Sequence, residues 1–220
     1  MENKELKTAL LVIFWICFWP IALPIWAAAR VSDFDKSLTG AIGEAFVSRK
    51  LHELPEASYS ILNNILLPSS GNTPTTQIDH IVVSIYGIFC IETKSHSGWI
   101  YGSAQSKYWK QVKYANRYPL YNPLWQNYAH IKALERVLSL HMRQPIVSLI
   151  AFPSAERIRV RGTDKVGRTY EVINKIKSYL EPIYTAEECE GIVWLIKNAN
   201  ITDKGAAKQH KADVREMVKI

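Results

Sequence analysis

Cysteine is scarce in this chain, three in 220 residues, and the placement excludes more than the number does. Cys17, Cys90 and Cys189 stand far apart, so no pair has metal-ligand spacing and no full disulfide set can form. Cys17 lies in an apolar run and Cys90 in an apolar stretch of strand character, where a thiol packs as a small hydrophobe. That usage favours a reducing compartment. The chain also lacks an internal repeat, a low-complexity tract, a long linker and a P-loop, which sets aside solenoids, disordered tails and P-loop NTPases.

What remains is an ordinary core-forming composition. Hydrophobic residues make up 48% and charged residues 21%, as expected of one globular domain with an appendage. A net charge of +7 and an isoelectric point near 9.2 point to an anionic partner, either nucleic acid or a lipid headgroup.

The appendage is N-terminal. The run TALLVIFWICFWPIALPIWAAA, residues 8–29, holds no charge; as a helix it would span roughly 33 Å at about 1.5 Å per residue, close to a bilayer's hydrocarbon thickness. Trp15, Trp19 and Trp26 suit a membrane segment, and Pro20 and Pro24 would kink it. A cleaved signal peptide is the alternative, since Lys4 and Lys7 precede the run and Ala27-Ala28-Ala29 resembles a cleavage site. The run is long for a signal core and apolar on all sides, unlike an amphipathic core helix. Residues 1–7 are thus expected as a flank and residues 8–29 as one uncleaved transmembrane helix. Arg30, Lys36, Arg49 and Lys50 follow the span, against Lys4 and Lys7 before it. That bias puts the C-terminal domain in the cytoplasm, tethered to the inner (plasma) membrane of the cell.

Past the anchor, the periodicity of Ile42, Phe46, Val47, Leu51 and Leu54 predicts a helix over 39–54 with Thr39 as its N-cap. Tyr59 to Leu67 reads as a strand, ended by the turn-rich PSSGNTPTT. Short strands follow around Trp99–Tyr101 and Trp109–Val112. Asn122-Pro123 opens a helix with Leu124, Tyr128, Ile131, Leu134, Leu138 and Met142 on its apolar side. PIVSLIAF, 145–152, is apolar enough for a strand buried on both faces. A short strand at 170–173 and helices near 174–180, 185–197 and 202–218 complete a mixed α/β domain, a central sheet flanked by helices.

The chemistry sits in QIDHIVVSIYGIFCIETK, residues 77–94. Ser84-Ile85-Tyr86-Gly87 suits a four-residue turn. With Ser84 facing Gly87, Asp79 faces Glu92 and Gln77 faces Lys94. Opposed side chains on antiparallel strands share a face, with Cβ atoms about 4.5–5.5 Å apart. Two carboxylates so placed repel, and apolar neighbours strengthen the repulsion. A cation between them relieves it, or one acid takes up a proton. A hard divalent cation prefers such oxygen donors. Lys94 could orient or deprotonate a water and would stabilise developing negative charge. That is equipment for hydrolysing a phosphodiester; the alternative is a solvated surface pair worth less than about 1 kcal/mol.

In order along the chain, TGAIGE (39–44), QIDH (77–80), GIFCIETKSHSGWIYG (87–102), Trp109 and NPLWQN (122–127) resemble the nuclease-related domain (NERD) family. That family is similar to the PD-(D/E)XK nucleases, and the resemblance covers about 37–152, with 153–220 as a C-terminal strand and helical extension. It implies a restriction-endonuclease-like fold and a Mg²⁺- or Mn²⁺-dependent nuclease acting on DNA or RNA. It further implies that Asp79, Glu92 and the Thr93 carbonyl bind the metal, with Glu44 reaching the same site from the first helix. Lys94 would serve the attacking water, and Gln126 would stand near the scissile phosphate. No organic cofactor is expected. A module that binds nucleic acid or protein without cutting is the alternative reading.

Other residues carry open alternatives. Glu44 could be an exposed helix residue, and Gly40 and Gly43 could serve close packing. His80 points away from Asp79, which fits a structural role. Gln77 and His96 could touch substrate. Gln126 shares its helix face with His130. Arg157, Arg159 and Arg161 would share one face of a strand, for phosphate contact or as edge charges that block aggregation. The basic tail from Ala206 reads as an amphipathic helix, either a solvated docking helix or one that touches acidic lipid or DNA.

Overall fold

The computed structural model describes residues 37–71 and 73–217, so the expected transmembrane helix at 8–29 lies outside the described residues. Among the described residues, no helix is long and apolar enough to cross a membrane. The chain divides into two compact units, Met1–Ile42 and Gly43–Ile220. Of the first, residues 37–42 are described and are helical, with Ile42 exposed.

Helix α1 covers residues 37–51. Thr39 therefore lies inside the helix rather than capping it. Val47, Leu51 and the following Leu54 are buried, whereas Phe46 is exposed. The buried stripe at i, i+4 is narrower than the sequence periodicity implies, because Phe46 sits about 100° round from Val47.

The sheet expected as one central layer is two mixed sheets. The first has the order β1-β2-β3-β7-β9 and the second β6-β5-β4-β8. Strands β1 (Tyr59–Pro68), β2 (Thr75–Ser84) and β3 (Gly87–Thr93) form an antiparallel meander. Against β3 lie β7 (Val147–Ala151) and then β9 (Val166–Gly167), both parallel. The second sheet joins β4 (Gly98–Ser103), β5 (Tyr108–Lys113) and β6 (Asn116–Tyr121), with β8 (Ala155–Arg161) parallel to β4. Chain beyond residue 152 thus supplies one strand to each sheet.

Helices cover the first sheet on both faces. Residues of α1 and α3 (Thr169–Lys177) pack with Val82, Phe89, Ile91 and Leu149. Residues of α2 (Pro123–Leu138) and α4 (Ala186–Ala199) pack with Ile81, Val83, Ile88 and Cys90. The two clusters take alternate residues of β2 and β3, as a pleated strand buried on both faces requires. Ile100, Trp109, Leu120, Ile150 and Phe152 form a third cluster that holds the second sheet's inner face.

Caps set the helix starts. Asn122 accepts the Leu124 N–H at 2.9 Å ahead of Pro123, as its sequence implies. Its side-chain amide also donates to the Ala104 and Ser106 carbonyls, tying α2 to the β4–β5 loop. The core side of α2 runs through Asn127, Ile131, Leu134 and Leu138; Tyr128 is exposed and Met142 lies past the helix end. Thr185 and Glu188 cap α4 reciprocally. Helix α5 (Lys204–Met217) starts where Asp203 accepts the Ala206 N–H.

Residues 170–173, expected as a strand, belong to α3. Tyr-Glu-Val-Ile has strand composition, but the Glu171 carboxylate accepts the Arg168 N–H at 2.6 Å. That cap starts a helix whose Val172, Ile173 and Ile176 are buried.

Candidate active site

The β2–β3 turn fixes the site's spacing. Ser84 pairs with Gly87, and the antiparallel register runs from there to His80 opposite Ile91. The Ser84 hydroxyl donates to the Gly87 carbonyl and accepts the Tyr86 N–H, so the turn is clamped from inside. Gly87 has φ 143°, a conformation side chains disfavour.

The ladder stops one pair short of Asp79 and Glu92. Beyond it, the Thr93 N–H donates to Asp79 Oδ2 at 2.8 Å, so a carboxylate takes the donor a strand would otherwise pair. Asn64, with φ 54°, lies beside this point on β1, between the partners of His80 and Ile78. Asparagine tolerates that left-handed geometry. Ile78 and Ile81, three residues apart, join the same core cluster, so strand alternation breaks at Asp79 itself.

Glu92 is 2% exposed and both of its oxygens are engaged. Oε1 meets Lys94 Nζ at 2.7 Å and Oε2 meets His130 Nε2 at 3.1 Å. Lys94 Nζ also donates to Gln126 Oε1 at 2.7 Å. Gln126 and His130, one helical turn apart on α2, thus reach the two ends of the Glu92–Lys94 pair. His130 Nδ1 lies 2.6 Å from Thr76 Oγ1. His130 thus bridges the Thr76 hydroxyl on β2 and the Glu92 carboxylate on β3.

Electrostatics separate the two acids. For Glu92, burial alone would raise the pKa, but Lys94 and His130 outweigh it and hold the carboxyl at about 2. Asp79 is pushed well above the ordinary carboxylate range, first by burial and then by Glu92. Burial and the Glu92 charge thus both favour the neutral form of Asp79, while Lys94 and His130 favour the ionised form of Glu92. Burial would lower the Lys94 pKa, yet Glu92, Asp79 and Glu44 raise it, so the lysine is an ammonium.

Glu44 belongs to the same field. It is half-buried on α1, its pKa raised by burial and by Glu92 and drawn down by Lys211 of α5 and by Lys94. Gly43 brings it there. A Cβ on Gly43 would fall 1.8 Å from Ser95 Oγ, so α1 runs against the loop after Lys94 closely enough that any larger residue at 43 would have to displace the Ser95 side chain. His210 of α5 meets Thr75 Oγ1 at 3.0 Å and docks that helix on β2.

Other expected residues stand elsewhere. Gln77 turns to β1, donating to Asn64 Oδ1 at 3.1 Å, so the facing with Lys94 is not made. His96 follows Lys94 in the loop, its pKa lowered to about 4 by burial and by Lys94. His80 bridges the Asn63 and Thr93 side chains, its pKa likewise lowered to about 4 by burial. Arg157, Arg159 and Arg161 lie on the second sheet, apart from the strands that carry the acids.

His130, Thr76 and Asn127 were not singled out as site residues by the sequence. Asn127 is fully buried and donates to the Cys90 carbonyl at 2.9 Å and Ser148 Oγ at 2.8 Å, locking α2 across β3 and β7. The signal for His130 was its spacing of four from Gln126.

Among the described residues, no three His, Cys, Asp or Glu side chains are grouped as a closed metal cage. The residues at the end of the hairpin offer oxygen donors, the Asp79 and Glu92 carboxylates and the Thr93 carbonyl, the donor type that hard divalent cations favour.

The family model of the nuclease-related domain (NERD) matches residues 39–153. An uncharacterized protein of Bacillus anthracis is 38% identical over 175 residues, covering 78% of this chain and 81% of that protein. A solved crystal structure of a protein of unknown function aligns with a TM-score of 0.30 and 14% identity, over 80% of this chain and 95% of the other.

Proposed function

The chain belongs to the nuclease-related domain family, and on that footing we propose that it is a metal-dependent nuclease that hydrolyses phosphodiesters in DNA or RNA. One observation carries the reading: Glu92, Lys94 and Gln126 form a continuous bonded network at the end of the hairpin that also carries Asp79. The restriction-endonuclease likeness of the first sheet belongs to the same proposal.

Asp79, Glu92, Glu44 and the Thr93 carbonyl would hold Mg²⁺ or Mn²⁺, which when bound polarises a phosphoryl oxygen and acidifies water. Glu92 is already ionised and ready to serve as a donor. Asp79, whose proton affinity is raised by burial and by Glu92, would be the second carboxylate donor once a cation offsets that charge. Lys94, as an ammonium, is poor as a base and suited to orienting the attacking water and stabilising phosphoryl charge. Gln126 holds the ammonium in place. The 8–29 segment would tether this domain to the plasma membrane, cytoplasm-side.

A second reading is a module that binds nucleic acid without cutting, favoured by the engagement of both Glu92 oxygens by Lys94 and His130. The test is incubation of the full chain with labelled single- and double-stranded DNA and RNA, with Mg²⁺, Mn²⁺ or chelator. Metal-dependent cleavage lost in Asp79→Ala and Lys94→Ala establishes the nuclease. Salt-sensitive binding without cleavage establishes the module, and neither binding nor cleavage sinks both readings.

A further inference from the structure

The second sheet has an outer face that the catalytic site does not use. Registers place Trp99, Tyr101, Tyr108 and Tyr121 on that one face: Trp99 is opposite Val112 and Arg157, Tyr101 opposite Lys110 and Arg159, and Tyr108 opposite Tyr121. The opposite side carries buried Ile100, Trp109 and Leu120. Trp99 is 40% exposed, Tyr108 58% and Tyr121 44%, an unusual display of rings on a sheet whose other side already supplies a core.

Charge on this face has a single sign. Lys110, Arg117, Arg157, Arg159 and Arg161 share it, and the register positions that alternate onto it include no Asp or Glu. Arg157 lies over the Trp99 ring at 4.8 Å, leaving a guanidinium and a ring side by side. Edge protection explains charges on β8, which is an edge strand. It does not explain Lys110 on β5, an interior strand.

We propose that this face is a docking platform for single-stranded nucleic acid, with bases stacking on the exposed rings and phosphates meeting the arginines and lysine. Rings interleaved with cations on an open sheet serve unpaired bases, whose faces are free to stack; a duplex hides them. An anionic membrane surface fits less well. Interfacial faces set Trp among Leu and Phe that enter the acyl boundary, opposite their cations; here cations and rings alternate on the same face, and the aliphatic side chains beside them are Val112 and Pro119. The platform deepens the nuclease reading by naming unpaired strands as the substrate class, and it rests on that reading only for its biological purpose.

The test is binding of the full chain, in chelator, to a fluorescent oligothymidylate of about 20 nucleotides, to a duplex, and to phosphatidylserine vesicles. Trp99→Ala is expected to weaken oligothymidylate binding about fivefold or more, the effect of one lost stack, with Trp99→Phe restoring most of it. Arg159→Gln with Arg161→Gln is expected to reduce the salt slope by about 1.4, from about 0.7 per lost phosphate contact. Parent-like oligothymidylate binding in the Trp99 and arginine variants overturns the platform. So does a loss confined to vesicle binding, which would make the face a lipid surface. Persistent metal-dependent cleavage alongside unaffected binding would defeat this inference alone. Platform binding without any cleavage would defeat the nuclease reading alone.

Discussion

His130 of α2 holds Glu92 of β3 through a 3.1 Å contact between Nε2 and Oε2, while its own Nδ1 is held by Thr76. A helix and two strands thereby share one buried carboxylate. The imidazole orients Glu92 and leaves Asp79 untouched, so the two acids differ in partners as well as in proton affinity.

His130→Ala is expected to cost about 1–3 kcal/mol of stability, because the Thr76 hydroxyl and one Glu92 oxygen lose a buried partner. The same substitution should weaken Mn²⁺ binding about 10- to 100-fold, the usual cost of losing a group that orients a ligand. Urea denaturation and Mn²⁺-dependent thermal shifts measure the two effects separately. His130→Gln should recover part of both.

Asp79→Asn should abolish cleavage and stabilise the metal-free protein by about 0.5–2 kcal/mol, roughly 2–4 °C in Tm per kcal/mol. The amide still accepts the Thr93 N–H and is neutral at every pH, whereas the Asp79 carboxyl must either ionise beside Glu92 or take up a proton to fold. The gain should vanish when saturating Mg²⁺ is added, since a cation stabilises only the parent. An unchanged or lower Tm in chelator would contradict the proposed repulsion.

The acids give opposite pH dependences. Glu92, held at about 2 against an ordinary 4.5, contributes stability fully present above pH 4.5 and lost as pH falls toward 2. At about 1.36 kcal/mol per pH unit that is at most about 3 kcal/mol. Asp79 lies above its ordinary 3.8, so its protonated form favours folding and that contribution fades as pH climbs through the raised value. Denaturation in chelator from pH 2 to 8 should therefore show stability rising, then declining. Glu92→Gln should flatten the rise and Asp79→Asn the decline.

Gly43→Ala should destabilise by about 1–3 kcal/mol through overpacking, because the new Cβ meets Ser95 Oγ at 1.8 Å and Pro153 Cγ at 3.3 Å. It should also impair cleavage, since Ser95 follows Lys94 directly. Gly40→Ala is the internal comparison: its Cβ meets nothing within 4 Å, so helix propensity should stabilise it by about 0.5–1 kcal/mol. Equal effects at the two positions would refute the close-approach role.

Much of the hairpin was legible because turn chemistry and strand alternation act over a few residues. Ser84 and Gly87 gave the register, and Asn122-Pro123 gave the start of α2. What stayed hidden depends on distant chain. The break at Asp79 accompanies a left-handed Asn64 on another strand, so Gln77 could not be placed from its own neighbourhood. The 170–173 segment has strand residues but a helix cap, and the cap lies in side-chain geometry. Two sheets instead of one follow from the parallel pairing of β4 with β8 across more than fifty residues, beyond any local pattern. His130 was visible as a spacing, but its partner Thr76 was not.

The Ser84–Gly87 turn also limits how this chain can vary in length. Because side chains alternate along a strand, one residue inserted there would slip the pairing and exchange the sets of side chains that one strand presents to the two helical layers. Glu92 would then trade places with neighbours that now face α1. Insertions elsewhere, as in the exposed segment around Gly71, leave that parity alone. Among related chains, length polymorphism should therefore collect in such loops and spare the four residues of this turn.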